Sequence, residues 1–309
     1  MQLEIPDTTT DVRRHAAART YVLLTAAHDE EAFIEKTISS IVGQTVVPKR
    51  WVIVSDGSTD KTDEIVERYA RQHEFIWFLK LTRPAGRSFG SKGIALQKGV
   101  KLLEGISFDF VGNVDADVAV EPTYFENLID HFARDPQLGI AAGFIQEEQG
   151  GQFRSRAANR VYSVPHAAQL VRRECYEAIG GYAVLKYGGE DWFAQTTARM
   201  KGWRAQALPD LRVFHHRRTG AASSQLRHHF RAGQSDYSLG SDPLFEFLKC
   251  AVRVSDKPWF LGAITRFLGF AWSCVRGEKR PVSKEFVIFL RKEQRAKVLS
   301  VFHGTGLQG

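Results

Sequence analysis

A chain of 309 residues, 43% hydrophobic and 25% charged, can bury a sizeable core and is too evenly mixed for a disordered, fibrous or multi-spanning membrane protein. Its three cysteines, Cys175, Cys250 and Cys274, are odd in number and widely spaced, so neither a disulfide framework nor a zinc-ligand spacing is present and a reducing compartment is expected. The formal charge of +7 sits in residues 244–309, with twelve Lys/Arg against five Asp/Glu, which points that tail to an anionic surface; no nucleic-acid motif accompanies it, leaving lipid.

Residues 1–20 are polar and carry Asp7, Asp11, Arg13 and Arg14, so no signal peptide and a cytoplasmic location are expected. Residues 21–25 then read as a first strand, followed by His28-Asp29-Glu30-Glu31 and an amphipathic helix whose apolar face is Phe33, Ile34, Thr37, Ile38 and Ile41. The plan repeats: a strand at 51–55, the loop Asp56-Gly57-Ser58-Thr59-Asp60, a helix burying Ile65, Val66 and Tyr69, and a third strand at 75–81. Repeated βα units imply a parallel sheet with right-handed crossovers. Residues 85–93 form a glycine-bearing loop in which Arg87 or Lys92 can meet phosphate charge; a solvated surface loop fits the same residues.

Residues 108–114 are apolar enough for a buried strand, and they run straight into Asp115-Ala116-Asp117. In open α/β sheets ligands bind at the carboxyl ends of strands. Two carboxylates arriving there suit a hard divalent cation bridging to phosphate oxygens, Mg²⁺ being held by one or two carboxylates plus substrate phosphates. A helix at 122–134, a strand at 138–145, a mobile polar loop at 146–156, a strand at 167–171 and a helix at 175–179 are expected next. Gly188-Gly189-Glu190-Asp191-Trp192 places a second acidic pair at the start of a helix ending near Gly202. Two short strands, at 204–207 and 211–214, deliver His215-His216-Arg217-Arg218, either histidine a candidate ligand; the basic run 212–231 is either a solvated face or a diphosphate or acceptor site.

In this order the segments resemble the family-2 inverting glycosyltransferases of GT-A fold: TAAHDEEAFI resembles the opening P-A-Y-N-E-E, SDGSTD the D-x-S-x-D nucleotide loop, DAD the metal motif, GGEDW the acceptor motif, and VFHH the late histidine strand. The resemblance covers about 21–218 and implies a mostly parallel sheet flanked by helices, with a Rossmann-like nucleotide half at 1–120, an acceptor half at 121–243 and a basic helical extension at 244–309. It further implies a nucleoside-diphosphate sugar donor (UDP, GDP or dTDP), with Asp29 and Asp56 on the nucleoside and Asp115 on the ribose or a metal-bound water; Ala26, Arg87 and Lys92 are further candidates to hold that donor. Asp117 and His215 would hold Mg²⁺ or Mn²⁺, Asp191 would act as catalytic base, and Glu190 would orient a saccharide or polyprenyl-linked acceptor. Thr25, Ala27 and His28 stand where the family prefers Pro, Tyr and Asn, so an aromatic partner for the base is missing there. A sugar-phosphate nucleotidyltransferase and a non-catalytic nucleotide-sugar-binding protein are the rival readings.

In the tail, residues 259–275 are apolar but carry Arg266 at their middle and fall short of the ~20 residues that span a bilayer. Gly262, Thr265, Arg266, Gly269, Ser273 and Arg276 form one narrow stripe of the helical wheel, leaving a broad apolar face. That pattern fits a helix lying in a membrane interface, which would place the protein at the inner face of the plasma membrane, and it equally fits a helix packed in a core or dimer contact.

Overall fold

Apolar β-branched and aromatic runs build the centre of the sheet. In the protein's structure, a computed structural model, residues 19–82, 90–217, 225–255 and 260–302 are described. Strand β1 (Tyr21–Ala27) pairs in parallel with β2 (Arg50–Asp56) on one side and β4 (Phe110–Val114) on the other, and β2 pairs in parallel with β3 (Ile76–Leu81). These four strands form the expected βα array, with α1 (Ile34–Val42) after β1 and α2 (Thr62–Gln72) after β2. Helix α1 buries Ile34, Thr37, Ile38 and Ile41, the face that its sequence period marks out. Helix α3 (Ser91–Lys101) precedes β4.

Beyond β4 the sheet becomes mixed. Strand β8 (Ala168–Arg172) joins β4 antiparallel and carries the sheet to β6 (Leu138–Gln149), to β9 (Arg204–His215) and finally to β5 (Val118–Val120), in the order β3-β2-β1-β4-β8-β6-β9-β5. Helix α4 (Tyr124–Arg134) covers this half with Tyr124, Phe125, Leu128, Ile129 and Phe132 buried, and α5 (Arg173–Ala178) follows β8.

Two expectations need correction. Residues 146–156 are not a loop: β6 continues to Gln149 and turns back antiparallel as β7 (Gln152–Ser155). The two short strands at 204–214 are one strand, β9, whose pairing with β6 shifts register between Gly143 and Phe144, an irregularity that accommodates Pro209.

The chain divides into two compact units, one drawn from residues 1–86, 94–182 and 201–217, the other from 87–93, 183–200 and 218–309. The first holds the sheet. The second holds α6 (Glu190–Met200), α7 (Gln225–Ser238), α8 (Pro243–Val252), α9 (Phe260–Val275) and α10 (Lys284–Phe302). Leu185, Leu239, Phe286 and Leu290 form its buried apolar cluster. Among the described residues no helix is long and apolar enough to cross a membrane.

Candidate active site

Parallel pairing of β1, β2 and β4 brings their carboxyl ends to one edge of the sheet. There the loops after β1 and β2 are latched to each other. Asp29 adopts a positive φ of 53°, held because its Oδ1 accepts from the Thr59 backbone N–H at 2.8 Å while its own N–H donates to Ser58 Oγ at 3.2 Å. Asp60 accepts from the Glu31 N–H at 3.0 Å and from the Thr62 N–H at 3.0 Å. Burial works to raise its pKa, but these hydrogen bonds, with that of the Thr62 side chain, hold it below the usual carboxylate value. His28 Nδ1 lies 2.9 Å from the Asp56 carbonyl oxygen, which can only accept, so Nδ1 carries the proton. Of the residues assigned to the nucleoside, Asp29, Asp56 and the half-buried Ala26 therefore share this edge.

Thr25, one of the departures from the family pattern, has a structural reason. Its hydroxyl donates to the Val114 carbonyl at 2.7 Å and accepts from Trp51 Nε1 at 3.0 Å, so one buried side chain ties β1, β2 and β4 together.

The acidic turn follows β4 directly. The Asp115 N–H donates to the Ala167 carbonyl at 2.7 Å, the Ala116 carbonyl accepts from Thr37 Oγ1 at 2.9 Å, and the Asp117 carbonyl accepts from the His216 N–H at 2.9 Å. The chain is thereby fixed on both sides of the two carboxylates. Pairing of Val118 with His215 then sets His215 Nε2 3.2 Å from Asp117 Oδ1. Side chains alternate along a strand, so His216 leaves in another direction. Its ring stacks on Phe33 at 6.4 Å and meets Phe153 edge-on at 5.5 Å. Burial pushes the His216 pKa down, Lys36 adding to the effect. Burial also opposes charge on His215, but the hydrogen bond and charge of Asp117, with Asp115 and Glu147 behind it, raise its pKa above the ordinary value.

Arg217 completes the cluster. Two residues beyond His215, it sets Nε 3.7 Å from Asp117 Oδ2, pairs with Glu30, and stacks over Phe33 at 5.2 Å. Neither Arg217 nor Glu30 was singled out by sequence; the i, i+2 spacing from His215 is the signal that picks Arg217 from the basic run.

Asp117 and His215 suit a divalent cation. Mg²⁺ takes about six ligands at about 2.0–2.1 Å, which sets neighbouring donors about 3 Å apart, and substrate phosphates ordinarily supply several of them. The 3.2 Å between Asp117 Oδ1 and His215 Nε2 matches that spacing. Among the described residues no group of three or more His, Cys, Asp or Glu side chains is arranged to hold a metal.

In the second unit, Gly188 and Gly189 both adopt positive φ, 82° and 95°, and turn the chain into α6. Ser235 Oγ anchors the turn on the Gly188 carbonyl at 2.8 Å. Helix α6 opens with Glu190 and Asp191, and Asp191 Oδ1 accepts from the Trp192 N–H at 2.7 Å. Burial raises the pKa of Glu190, and the nearby Lys92 charge pulls the other way. Lys92 stands in the first turn of α3. Arg87 lies outside the described residues.

Comparison with known proteins agrees with this architecture. The model of the family described as "Glycosyl transferase family 2" matches residues 23–188, more than half of the chain. Poly-beta-1,6-N-acetyl-D-glucosamine synthase of Staphylococcus aureus is 32% identical over 120 residues, 39% of this chain and 27% of that protein, and the Staphylococcus epidermidis synthase is 30% identical over a stretch of the same length. The matched stretch thus spans about a quarter of the length of these relatives. Among solved structures, the mannosyltransferase PcManGT from Pyrobaculum calidifontis, in complex with GDP-Man and Mn²⁺, superposes with a TM-score of 0.55 at 18% identity over 92% of this chain and 82% of that one. Staphylococcus aureus TarS in complex with UDP-GlcNAc gives 0.52 at 15% identity over 90% and 83%. The likeness to these two structures establishes the GT-A type of fold, and the family match sets aside the nucleotidyltransferase and non-catalytic readings. The chain belongs to glycosyl transferase family 2.

Proposed function

We propose that this glycosyltransferase moves a sugar from a nucleoside-diphosphate sugar to a hydroxyl of a saccharide or lipid-linked saccharide, in one metal-assisted displacement that inverts the anomeric centre. The observation that carries the reading is the cluster of Asp117, His215 and Arg217 next to the carboxyl ends of β1, β2 and β4. A donor of this class departs as a diphosphate, whose growing negative charge needs fixed positive charge nearby.

Asp117 and His215 are the residues that would hold Mg²⁺ or Mn²⁺, which when bound supplies positive charge to the leaving diphosphate. Arg217, Lys92 and Arg87 add cationic contacts to phosphate, while Ala26, Asp29, Asp56 and Asp115 face the nucleoside. Asp191 takes the proton of the acceptor hydroxyl as its oxygen bonds to the anomeric carbon, and the bond from that carbon to the diphosphate oxygen breaks. Glu190 orients the acceptor.

The test is a donor screen with Mg²⁺ or Mn²⁺, beginning with UDP-GlcNAc and GDP-mannose, the nucleotide sugars bound to TarS and PcManGT. Metal-dependent release of a nucleoside diphosphate, with the opposite anomeric configuration in the product, is expected. Release unchanged by chelation overturns the metal assignment, and retained configuration overturns the single displacement.

A further inference from the structure

Helix α9 is built the wrong way round for water. Its small and charged stripe faces inward: Gly262, Ala263, Gly269 and Ser273 are buried. At the crossing with α7, a Cβ added to Gly269 would meet the Phe230 carbonyl oxygen at 2.0 Å, and one added to Gly233 would meet the Arg266 carbonyl oxygen at 1.9 Å, so the two backbones touch there. Arg266, at the helix middle, points into the same interface, where it pairs with Asp236 at 2.5 Å and Glu246 at 3.2 Å. Phe270 is buried there too, against Tyr237, and the other large apolar residues are left facing out. Phe260, Leu261, Ile264, Leu268 and Trp272 are each about half exposed, and Val275 is 85% exposed.

The outward face continues onto α8. Phe247, 55% exposed, meets Phe267 edge-on at 6.1 Å, and Leu244 and Val252 are exposed beside it in the chain. Soluble proteins rarely leave contiguous apolar surface of this extent without a partner. Charge selects the partner. The segment containing α8 to α10 carries the whole formal charge of +7. Arg276 lies over the Trp272 ring at 5.7 Å, and Lys279 and Lys284 are exposed in the segment that follows. An apolar face with aromatic members, bordered by cations and too short to span, matches the water–lipid boundary of a bilayer rich in acidic headgroups.

We propose that the α8–α9 face docks this enzyme on an anionic lipid bilayer, with Ile264, Leu268 and Trp272 entering the headgroup region and Arg276, Lys279 and Lys284 meeting lipid charge. The proposal extends the reading of a lipid-linked acceptor, but its test reads membrane partition and not transfer, so the two fail separately. Each basic residue engaged contributes about fivefold in partition, an effect that decays over a Debye length of about 10 Å at 0.1 M salt.

The experiment is flotation of the full-length protein with vesicles of phosphatidylcholine alone or with phosphatidylglycerol added. Strong recovery with the anionic vesicles, falling at least tenfold at high salt and in the Leu268→Glu and Trp272→Glu variants, is expected. Both side chains point outward, so an unchanged Tm should show that these variants fold. Trp fluorescence of the unmodified protein gives a second measure that needs no folded variant: brominated lipid should quench it, and Trp272→Phe should remove most of the quenching. Equal recovery with neutral and anionic vesicles overturns the charge component. No recovery with either overturns the proposal, and a dimer in light scattering that Leu268→Glu dissociates would then assign the face to a second copy of this chain.

Discussion

Asp117 is engaged from two sides, by His215 through one carboxylate oxygen and by Arg217 through the other, with its side chain only 13% exposed. Removing it leaves a protonatable imidazole and a guanidinium facing each other without their shared acceptor. Asp117→Ala is therefore expected to abolish the metal-dependent part of donor binding, read by calorimetry with donor and Mn²⁺; unchanged affinity would move the ion elsewhere. The two histidines separate in the same assay. His215→Ala should weaken the metal dependence, whereas His216→Phe should leave it intact, because His216 packs between Phe33 and Phe153 and a benzyl ring fills that slot. The acidic pair of α6 divides similarly. Asp191→Asn should keep donor binding and lower transfer by roughly 10² to 10⁴, the usual worth of a general base. Glu190, whose pKa burial raises, turns neutral at a higher pH than an ordinary glutamate. The acid limb of the transfer profile should accordingly lie at higher pH than an ordinary glutamate would set it, and move to lower pH in Glu190→Gln. Should Gln at 190 abolish transfer while Asn at 191 spares it, the two roles are exchanged.

At the scale of elements, the crossing of α7 and α9 depends on two positions that tolerate no side chain. An added methyl at Gly269 or Gly233 meets backbone, which yields less readily than the end of a flexible side chain. Gly269→Ala should cost at least about 1–3 kcal/mol in a denaturant titration, the range for overpacked cores, while Gly277→Ala, with nothing near its Cβ, tests only the backbone cost of a φ of 59°. The sequence period located α9 and its stripe but not the side that turns inward. A stripe holding Arg266 reads as the wet side until Asp236 and Glu246, from two other helices, are known to await it. The same limit hid the hairpin at 146–155: β7 is exposed along its whole length, so no apolar alternation marks it. The two strands expected at 204–207 and 211–214 are one because a register shift carries β9 past Pro209. The central strands were legible because they are buried on both faces and written almost entirely in apolar residues, β1 and β2 above all. The motif residues were legible by type, and the family resemblance joined Asp117 to His215 across 98 positions; the pairing of Arg217 with Glu30, 187 positions apart, carried no such signal.

For the molecule as a whole, the basic tail has a part within the fold. Residues 183–200 share a compact unit with residues 218–309, so the helix that carries Glu190 and Asp191 rests on the C-terminal helices. Arg199 of α6 forms a two-pronged pair with Glu293 of α10, at 2.7 and 3.0 Å, and Phe193 packs on Phe286 with ring centroids 5.1 Å apart. Lys297 of α10 lies over the Trp192 ring at 5.8 Å, and Gln294 accepts from the Asp242 N–H at 2.8 Å, closing α10 onto the start of α8. Phe286 is 2% exposed, and truncating so buried an aromatic costs about 3–5 kcal/mol. Asp29, Asp56, Asp115 and Asp117, which we propose meet the nucleotide and its metal, all belong to the other unit, whose sheet has its own core. Phe286→Ala should therefore lower transfer and soften the unit that holds α6, seen as faster hydrogen exchange in α6 and α10, while donor affinity measured by calorimetry stays within about twofold of the unmodified protein. Glu293→Gln, which keeps the shape of the prop and removes its charge, should give a smaller effect of the same kind. Loss of donor binding in either variant would mean that the donor site depends on the C-terminal helices as well, and that the two units do not divide the work between them.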